Sequence, residues 1–442
     1  MKQTIPTKRR SQKQKPDSTL PPATVRIASV NGPAAIISRR AADRLRAGHV
    51  WVYRSDIEAL TPAPDAADLA PGSLVAVQDS RGSLLGTAFY SSASLIALRL
   101  VTTDPLDGRD ALLQLLRDRL HHAIQMRKQL LAAAPGTDAC RLVFSEADEL
   151  PGIILDRYGE LVLLQLLTQA THADDIRAMV VATVREELDP ACIVERPDPR
   201  IRELEQLAAS PSEPLYVRTP KQPLLHTFFQ LNGLRFFYDA DAGQKTGAFL
   251  DQRENYTAAA RYAHGRALDI CTYQGGFALH LARVCPQVIG VDASRAALEV
   301  AEQNLMENQN QFLEQGGGVE WLEANAFDLL RDWSDTGERF DTIVLDPPAF
   351  AKSKRATEGA LRGYKEMNLR ALKMLQPGGT LVTCSCSHHV PLADFAAVVS
   401  AAAGDAKRRV RLLETRGAAL DHPAILTIPE TQYLKCLICR VE

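Results

Sequence analysis

The sequence lacks long apolar runs and carries almost no net charge. Its 442 residues include 51 Lys and Arg against 53 Asp and Glu, for a formal net charge of −2. No stretch is apolar over the roughly 20 residues that a membrane-spanning helix needs, so we expect no membrane partner. The basic N-terminus has no apolar core after it, which argues against a secretory signal and favours a cytoplasmic protein. Because the molecule as a whole is not basic, a nucleic-acid partner would need a local basic patch.

The sequence also lacks a disulfide framework. Its eight cysteines are scattered through a long chain, a distribution typical of reduced thiols. Cys436 and Cys439 form a C-x-x-C pair that, with Cys384 and Cys386, gives four sulfurs. However, the pair falls in an apparent strand, where odd spacing puts two side chains on opposite faces. We therefore predict no zinc site at these cysteines and no bound metal.

The pattern of polar and apolar residues divides the chain into a tail and three domains. Residues 1–23 are basic and nearly without apolar side chains, which predicts a disordered tail that either aids solubility or contacts a polyanion. Residues 24–104 show short alternating strands, typical of a small β-rich domain. Residues 105–224 begin with an amphipathic helix and continue as strand, strand, helix, strand. In residues 225–442 strands alternate with helices, which indicates an α/β domain with a parallel sheet covered on both faces.

A glycine turn follows the first strand of the third domain. It is not G-x-G-x-x-G, so a dinucleotide site of the NAD type is disfavoured. The strand contains Asp269, and after Thr272 comes the pair Gly275-Gly276, which lets the backbone approach a ligand closely. The next strand ends at Asp292, an acid placed to accept hydrogen bonds from ribose hydroxyls.

Two later strands complete the predicted cofactor site. Asn325 follows the third strand and is expected beside an adenine ring. The fourth strand ends in the turn 346–350, Asp-Pro-Pro-Ala-Phe. An acid, two prolines and an aromatic at that point resemble motif IV of class I S-adenosylmethionine methyltransferases. A plain proline turn would explain the prolines but not Asp346 before them. The predicted cofactor is S-adenosylmethionine.

The following strand offers a nucleophile. A cytosine carbon is too weak to take a methyl group unaided, whereas adding a thiolate at C6 makes C5 reactive. Cys384 and Cys386 face the same way on a strand, but Cys386 is nearer its carboxyl end, where ligands bind. We predict Cys386 as the nucleophile and Asp346 as the group that hydrogen-bonds N3 of the base. The alternative is that both cysteines are small buried core residues.

A basic segment with aromatic residues lies in the first domain. Arg44, Arg46 and Arg54 offer phosphate contacts, and Trp51 offers a surface on which a base can stack. The alternative, favoured for this segment taken alone, is that its aromatics are half-buried strand residues.

The sequence resembles the RlmI family of bacterial 23S rRNA cytosine-C5 methyltransferases. The segments that carry the resemblance are 145–159, 241–253, the turn 346–350, the Ser-Cys-Ser segment 385–387, Asp421-His422-Pro423 and the final 433–441. The resemblance as a whole extends over about residues 24–442. The resemblance implies a PUA-like RNA-binding domain, a small α/β (EEHEE-like) insert domain and a Rossmann-like class I methyltransferase domain, with 23S ribosomal RNA as substrate.

The resemblance also guides the choice of site residues. It puts the nucleophile at Cys386. We assign Phe249 to the cofactor side, and the residues expected to contact the substrate are Gln244, Lys245, Arg253, Pro347 and Phe350. His388 and His389 depart from the family, in which a glycine is common after the Ser-Cys-Ser segment.

Two other functions remain open. An RNA N-methyltransferase, for example one acting on guanine N7, would keep this fold without needing a thiol. An RNA-binding protein with a vestigial cofactor site is disfavoured by the intact Asp269, Asp292 and Asp346. The sequence does not fix the oligomeric state, and a homodimer is one arrangement compatible with it.

Overall fold

The computed structural model describes residues 32–442, except for residues 65, 197, 221, 241–247, 313–317 and 352. The predicted tail, the strand predicted at residues 24–30, and both Gln244 and Lys245 lie outside the described residues. Among those described, no helix combines the length and apolarity that crossing a bilayer requires. The same residues contain no group of three or more His, Cys, Asp or Glu side chains arranged to hold a metal ion.

The N-terminal part is a six-stranded mixed sheet with one helix. The sheet order is β2-β6-β5-β4-β1-β3, with β1 parallel to β4 and its other pairs antiparallel. The helix packs its buried Ala41, Ala42 and Leu45 into the core of this part. Its elements are β1 (Ala34–Ile37), α1 (Arg39–Arg46), β2 (Trp51–Tyr53), β3 (Ile57–Thr61), β4 (Leu74–Asp79), β5 (Leu84–Tyr90) and β6 (Ile96–Thr102).

The middle part is a long helix beside a five-stranded sheet of order β11-β10-β9-β8-β7. Only β9 and β10 pair in parallel there, since α3 connects them. Its elements are α2 (Gly108–Ala132), β7 (Ala139–Phe144), β8 (Ile153–Tyr158), β9 (Leu161–Leu166), α3 (Asp174–Leu188), β10 (Cys192–Glu195), α4 (Pro199–Glu205) and β11 (Tyr216–Val217).

The C-terminal part opens with an antiparallel hairpin and continues as a seven-stranded sheet with helices. The hairpin is formed by β12 (His226–Leu231) and β13 (Leu234–Asp239). The elements after it are α5 (Arg253–Tyr262), β14 (Arg266–Ile270), α6 (Gly276–Leu281), β15 (Gln287–Asp292), α7 (Arg295–Glu307), β16 (Gly318–Glu323), α8 (Ala326–Thr336), β17 (Phe340–Leu345), α9 (Thr357–Met374), β18 (Leu375–Ser385), α10 (Leu392–Asp405), β19 (Val410–Arg416) and β20 (Lys435–Val441).

The large sheet has the order β16-β15-β14-β17-β18-β20-β19, and β20 runs antiparallel to both of its neighbours. Alternate residues of each strand enter different cores, because neighbouring side chains point to opposite faces. Cys436 packs with one core and Cys439 with the other, as their odd spacing predicted. The sheet is therefore buried on both sides, and its ligand site is expected at the strand ends.

An ion network joins the middle part to the C-terminal part. Buried Arg253 of α5 donates to Asp421 at 3.0 Å, and Asp421 also accepts from the backbone N–H of Arg141 in β7 at 2.9 Å. Arg127 of α2 is fully buried, forms a two-pronged pair with Asp148 and donates to the Asp421 carbonyl. These contacts fix the orientation of the middle part against the active-site end of the large sheet.

Candidate active site

The strand order of the large sheet reverses at β14, whose neighbours β15 and β17 lead away in opposite directions. In such sheets the ligand sits beyond the carboxyl ends of the strands at this point. Backbone hydrogen bonds connect the loops there: Asp346 N–H donates to the Ile270 carbonyl and Thr272 N–H to the Val291 carbonyl. The ends of β14, β15 and β17 therefore form one rigid floor.

Asp269 lies within β14 beneath this floor. Its Oδ2 accepts from the Thr272 hydroxyl at 2.5 Å and from the Ala278 N–H at 2.9 Å. Its Oδ1 is buried and has no hydrogen-bond partner among the described residues. Burial raises the pKa of Asp269 to about 7. One carboxylate oxygen shapes the glycine turn, and the other is an acceptor left for a ligand.

The turn after β14 adopts an unusual backbone. Cys271 and Tyr273 have φ values of 64° and 53°, left-handed conformations that cost energy for residues with a Cβ. Gly275 follows with φ 86°. At Gly276 a Cβ would lie 2.6 Å from the Tyr256 ring, so only glycine fits there. The turn is held close to the protein so that a ligand can approach its backbone.

Asp292 ends β15 as predicted and is tied to the turn. Its Oδ2 accepts from the Tyr273 N–H at 2.9 Å, and its Oδ1 accepts from the Ser294 N–H at 2.9 Å. Asn325 is exposed and caps α8, accepting from the N–H groups of Phe327 and Asp328. Asp292 thus orients the turn directly, whereas the side-chain oxygen of Asn325 already accepts hydrogen bonds from the first turn of α8.

Asp346 ends β17 and faces the same space. Gln252, immediately before α5, donates to its Oδ1 at 3.0 Å. Burial, reinforced by the negative charges of Asp251 and Asp269, raises the pKa of Asp346 to about 8. Pro347 is buried after it, and Phe350 packs on Tyr364 with ring centroids 4.7 Å apart. Asp346 is therefore a largely protonated acid near neutral pH, at the start of a turn made rigid by its prolines and aromatic.

The two candidate cysteines are in different environments. Cys384 is fully buried within β18 and lies opposite Cys436 in the strand register, with which its thiol hydrogen-bonds. Cys386 is partly exposed just after the end of β18. Burial, with the negative charges of Asp346 and Asp251, raises its pKa to about 11. The Asp346 charge acts on both thiols, and Cys386 is the more accessible of the two.

The residues present fit S-adenosylmethionine. A cavity at the switch point is lined by Phe249, Thr272, Gln274, Gly276 and Asp346, among others. The unpartnered Asp269 oxygen offers an acceptor for a cationic or N–H donor, and the Cβ-free Gly276 keeps the backbone approachable. Phe249 is partly exposed, and its ring contacts Tyr273 edge-on at 5.2 Å. This is the place predicted for the cofactor.

The basic segment of the N-terminal part is engaged within the protein. Arg44 pairs with Asp56 at 2.6 Å, and Arg46 pairs with Asp79. Trp51 is half-buried in β2 and donates its indole N–H to Glu146 at 2.9 Å. The structure therefore shows Trp51 as a half-buried strand residue, which was the alternative favoured for this segment taken alone.

Arginines with exposed side chains remain on this part. Arg54 donates to the carbonyls of Ser91 and Ser94 at 3.0 Å, although its side chain is exposed. Arg39 and Arg40, at the start of α1, are also exposed, and sequence reasoning did not single them out.

The assignment of Arg253 to the substrate needs correction. Its side chain is buried, with 4% of the residue exposed, and it pairs with Asp421. A guanidinium held inside the protein by a carboxylate cannot also reach an RNA phosphate. Arg253 instead belongs to the ion network that joins two parts of the chain.

Sequence reasoning also missed residues that act at the site. Gln252 holds Asp346, and Tyr433 donates its hydroxyl to Asp251 at 2.6 Å. Both lie far in sequence from the groups they hold, and although segments 241–253 and 433–441 carry the family resemblance, neither residue was assigned a role. Their side-chain types alone gave no signal, because their role depends on tertiary placement.

Comparisons with known proteins agree with this geometry. The model of the PUA-like domain matches residues 35–103, and that of the S-adenosylmethionine-dependent methyltransferase matches residues 219–419. A ribosomal RNA large subunit methyltransferase I from Salmonella arizonae is 35% identical over 93% of this chain and 98% of its own. The protein of the same name from Citrobacter koseri is 36% identical over 89% of this chain and 95% of its own.

Solved structures show the same fold. A SAM-dependent methyltransferase from Streptococcus mutans has a TM-score of 0.74 at 18% identity, covering 92% of this chain and 99% of its own. Fold, site and family model together define the protein as an S-adenosylmethionine-dependent methyltransferase with a PUA-like N-terminal domain. More particularly, the chain belongs to the ribosomal RNA large subunit methyltransferase I family, RlmI. The predicted fold class and cofactor are confirmed.

Proposed function

We propose that this enzyme methylates C5 of a cytosine in 23S ribosomal RNA, using Cys386 as a covalent nucleophile. The observation that carries the proposal is the placement of a partly exposed thiol after β18, beside an acid at the end of β17. A nitrogen acceptor needs no thiol, whereas a pyrimidine carbon does. The relatives named for large-subunit ribosomal RNA support this substrate class.

Asp346 supplies the proton that the addition requires. When Cys386 Sγ bonds to C6, electron density moves to N3 of the cytosine, and a proton there stabilises the adduct. A carboxyl group whose pKa is raised to about 8 carries that proton near neutral pH. Gln252 keeps the other oxygen oriented by its hydrogen bond at 3.0 Å.

Cys386 makes and breaks the covalent bond. Its thiol loses a proton to solvent, and Sγ attacks C6 of a base turned out of its stack into the site. When bound, S-adenosylmethionine supplies the methyl group that C5 takes. After a water molecule takes the proton from C5, the bond from C6 to Sγ breaks, the thiolate leaves, and Asp346 recovers its proton from N3.

The N-terminal domain is proposed to hold the RNA. Its exposed arginines, Arg39 and Arg40 on α1 with Arg54, offer phosphate contacts without making the whole protein basic. We retain domain limits of 24–104, 105–224 and 225–442, with a tail at 1–23. The proposal also includes a cytoplasmic location and a homodimer.

The test compares Cys386→Ala with a matched control, Cys384→Ala. We expect Cys386→Ala to lower 5-methylcytosine formation in large-subunit RNA by at least roughly 10³-fold, because the covalent route is lost. The Cys384 variant should retain most activity, since its thiol is buried against Cys436. Nucleoside mass spectrometry identifies the product. Undiminished 5-methylcytosine with Cys386→Ala would refute the nucleophile, and 7-methylguanine would establish nitrogen methylation instead.

A further inference from the structure

A buried lysine lies beside the proposed nucleophile. Lys435 begins β20 and is opposite Ser385 in the strand register. Only 5% of the residue is exposed. Its Nζ donates to the Ser387 and Tyr433 carbonyls, each at 2.7 Å. The first bond holds the residue after Cys386 against the start of β20, and the second lies within the segment that leads into that strand.

The ammonium has no carboxylate partner to balance its charge. Within the part of the chain that the structure describes, no Asp or Glu oxygen lies within 4.0 Å of Nζ. An unpaired buried cation is costly, and two carbonyl bonds offset only part of that cost. A neutral side chain would form the same strand pair more cheaply. The charge itself therefore calls for an explanation at this position.

We propose that the Lys435 ammonium is a positioning residue that holds the Cys386 turn and stabilises its thiolate. The proposal rests on the proposed function, in which Cys386 acts as nucleophile. The Lys435 charge acts on Cys386 in the direction opposite to Asp346 and Asp251. A cation beside a cysteine favours its ionised form, as in other reactive thiols.

The two side chains affect each other's ionisation. Burial lowers the pKa of Lys435 to about 8, and the negative charge of an ionised Cys386 opposes that decrease. Burial raises the pKa of Cys386 to about 11, with Asp346 and Asp251 adding to the increase and Lys435 opposing it. Lys435 therefore carries its full positive charge well below pH 8, and its effect on the pKa of Cys386 decreases above that pH.

The other titratable groups around the thiol do not obscure the pH dependence that Lys435 causes. Burial raises the pKa of both Tyr364 and Tyr433, so these phenols stay neutral from pH 6.5 to 9.5. Burial lowers the pKa of His388 below its usual value, so it is neutral over that range. Asp346 titrates near pH 8 but does so in every variant compared. Its neighbour Asp251 is likewise common to all of them.

The experiment measures alkylation of Cys386 by iodoacetamide in the full-length protein, resolved by peptide mass spectrometry. Wild type, Lys435→Met and Lys435→Arg are compared at pH 6.5, 7.5 and 9.5. We expect the methionine variant to react about tenfold more slowly than wild type at pH 6.5, corresponding to one unit of thiol pKa. The difference should shrink toward none at pH 9.5. The arginine variant should match wild type at pH 6.5 and react faster than wild type at pH 9.5.

Alkylation of the partly exposed Cys271, measured in the same samples, is the internal reference that shows whether each variant is folded. A rate lowered equally at all pH values, or an arginine variant no faster than wild type at pH 9.5, would overturn the electrostatic role. The arginine comparison decides the matter even if Lys435→Met fails to fold. Alkylation does not depend on turnover, so it stays informative if Cys386→Ala retains methylation and the proposed function fails.

Discussion

Replacing Asp346 with Asn tests whether the acid at the end of β17 is protonated in the folded protein. Asn keeps an oxygen that accepts from Gln252, so the hydrogen bond at 3.0 Å is retained. The change removes the group whose pKa burial raises from 3.8 to about 8. A carboxyl with a raised folded-state pKa favours folding most below its unfolded pKa, and that contribution is lost as pH rises toward 8.

The size of this effect follows from the pKa difference. Between the two pKa values, wild type loses about 1.4 kcal/mol of stability per pH unit from this group. From pH 5 to pH 7 the loss is about 3 kcal/mol, and Asp346→Asn escapes it. The variant should therefore become more stable relative to wild type over that interval. Burial raises the pKa of Asp269 to about 7, and that burial is common to both proteins.

Urea unfolding at pH 5, 6, 7 and 8 provides the measurement. The difference in unfolding free energy between variant and wild type should rise up to about pH 8 and then level off. Asp328→Asn, at an exposed helix position, is the matched control and should show no such trend. Parallel stability curves for Asp346→Asn and wild type would refute the raised pKa. Methylation by the variant should fall about 10²-fold or more, because Asn cannot transfer a proton to the base.

Two further variants test the scaffold. Gly276→Ala should lower S-adenosylmethionine affinity at least about tenfold and destabilise the protein by roughly 2 kcal/mol, because its Cβ would meet the Tyr256 ring at 2.6 Å. Calorimetry checks this, with exposed Gly359→Ala as control, which should stabilise α9 slightly. Arg253→Met should cost roughly 3–5 kcal/mol in urea unfolding because Asp421 is left buried without its cation. Adding Asp421→Asn should recover part of that loss; no recovery would contradict the pairing.

The sequence predicted the methyltransferase fold because its strands are marked by local patterns. The strands ending at Asp292 and at Leu345 are continuous apolar runs bounded by polar residues, and the structure places them as expected. Helices α5 and α8 and strand β19 were not predicted. The helical spacing of Ala326, Leu329, Leu330 and Trp333 in α8 was a signal that was overlooked. Alternation of strand and helix was sufficient to indicate the sheet, but not every element covering it.

The site was only partly predictable for a physical reason. A residue that ends a strand of a parallel sheet must face the ligand edge, so Asp346 was recognisable from its position alone. A group such as Gln252 acts through a partner 94 residues away. Arg253 was misassigned because the resemblance of segment 241–253 guided its assignment to the substrate, whereas burial decides its role. Partners of this kind depend on tertiary packing, which no local spacing encodes.

The position of β20 has a consequence for how the enzyme is made. This strand comes last in the described chain, yet it inserts between β18 and β19 and brings Lys435 to the turn that holds Cys386. During synthesis on the ribosome, Cys386 emerges about 50 residues before that lysine. Elongation takes at most a few seconds for every ten residues. A nascent chain thus carries an unsupported thiol on an open sheet edge. The proposed site can therefore be completed only after the final strand of the domain has been synthesised.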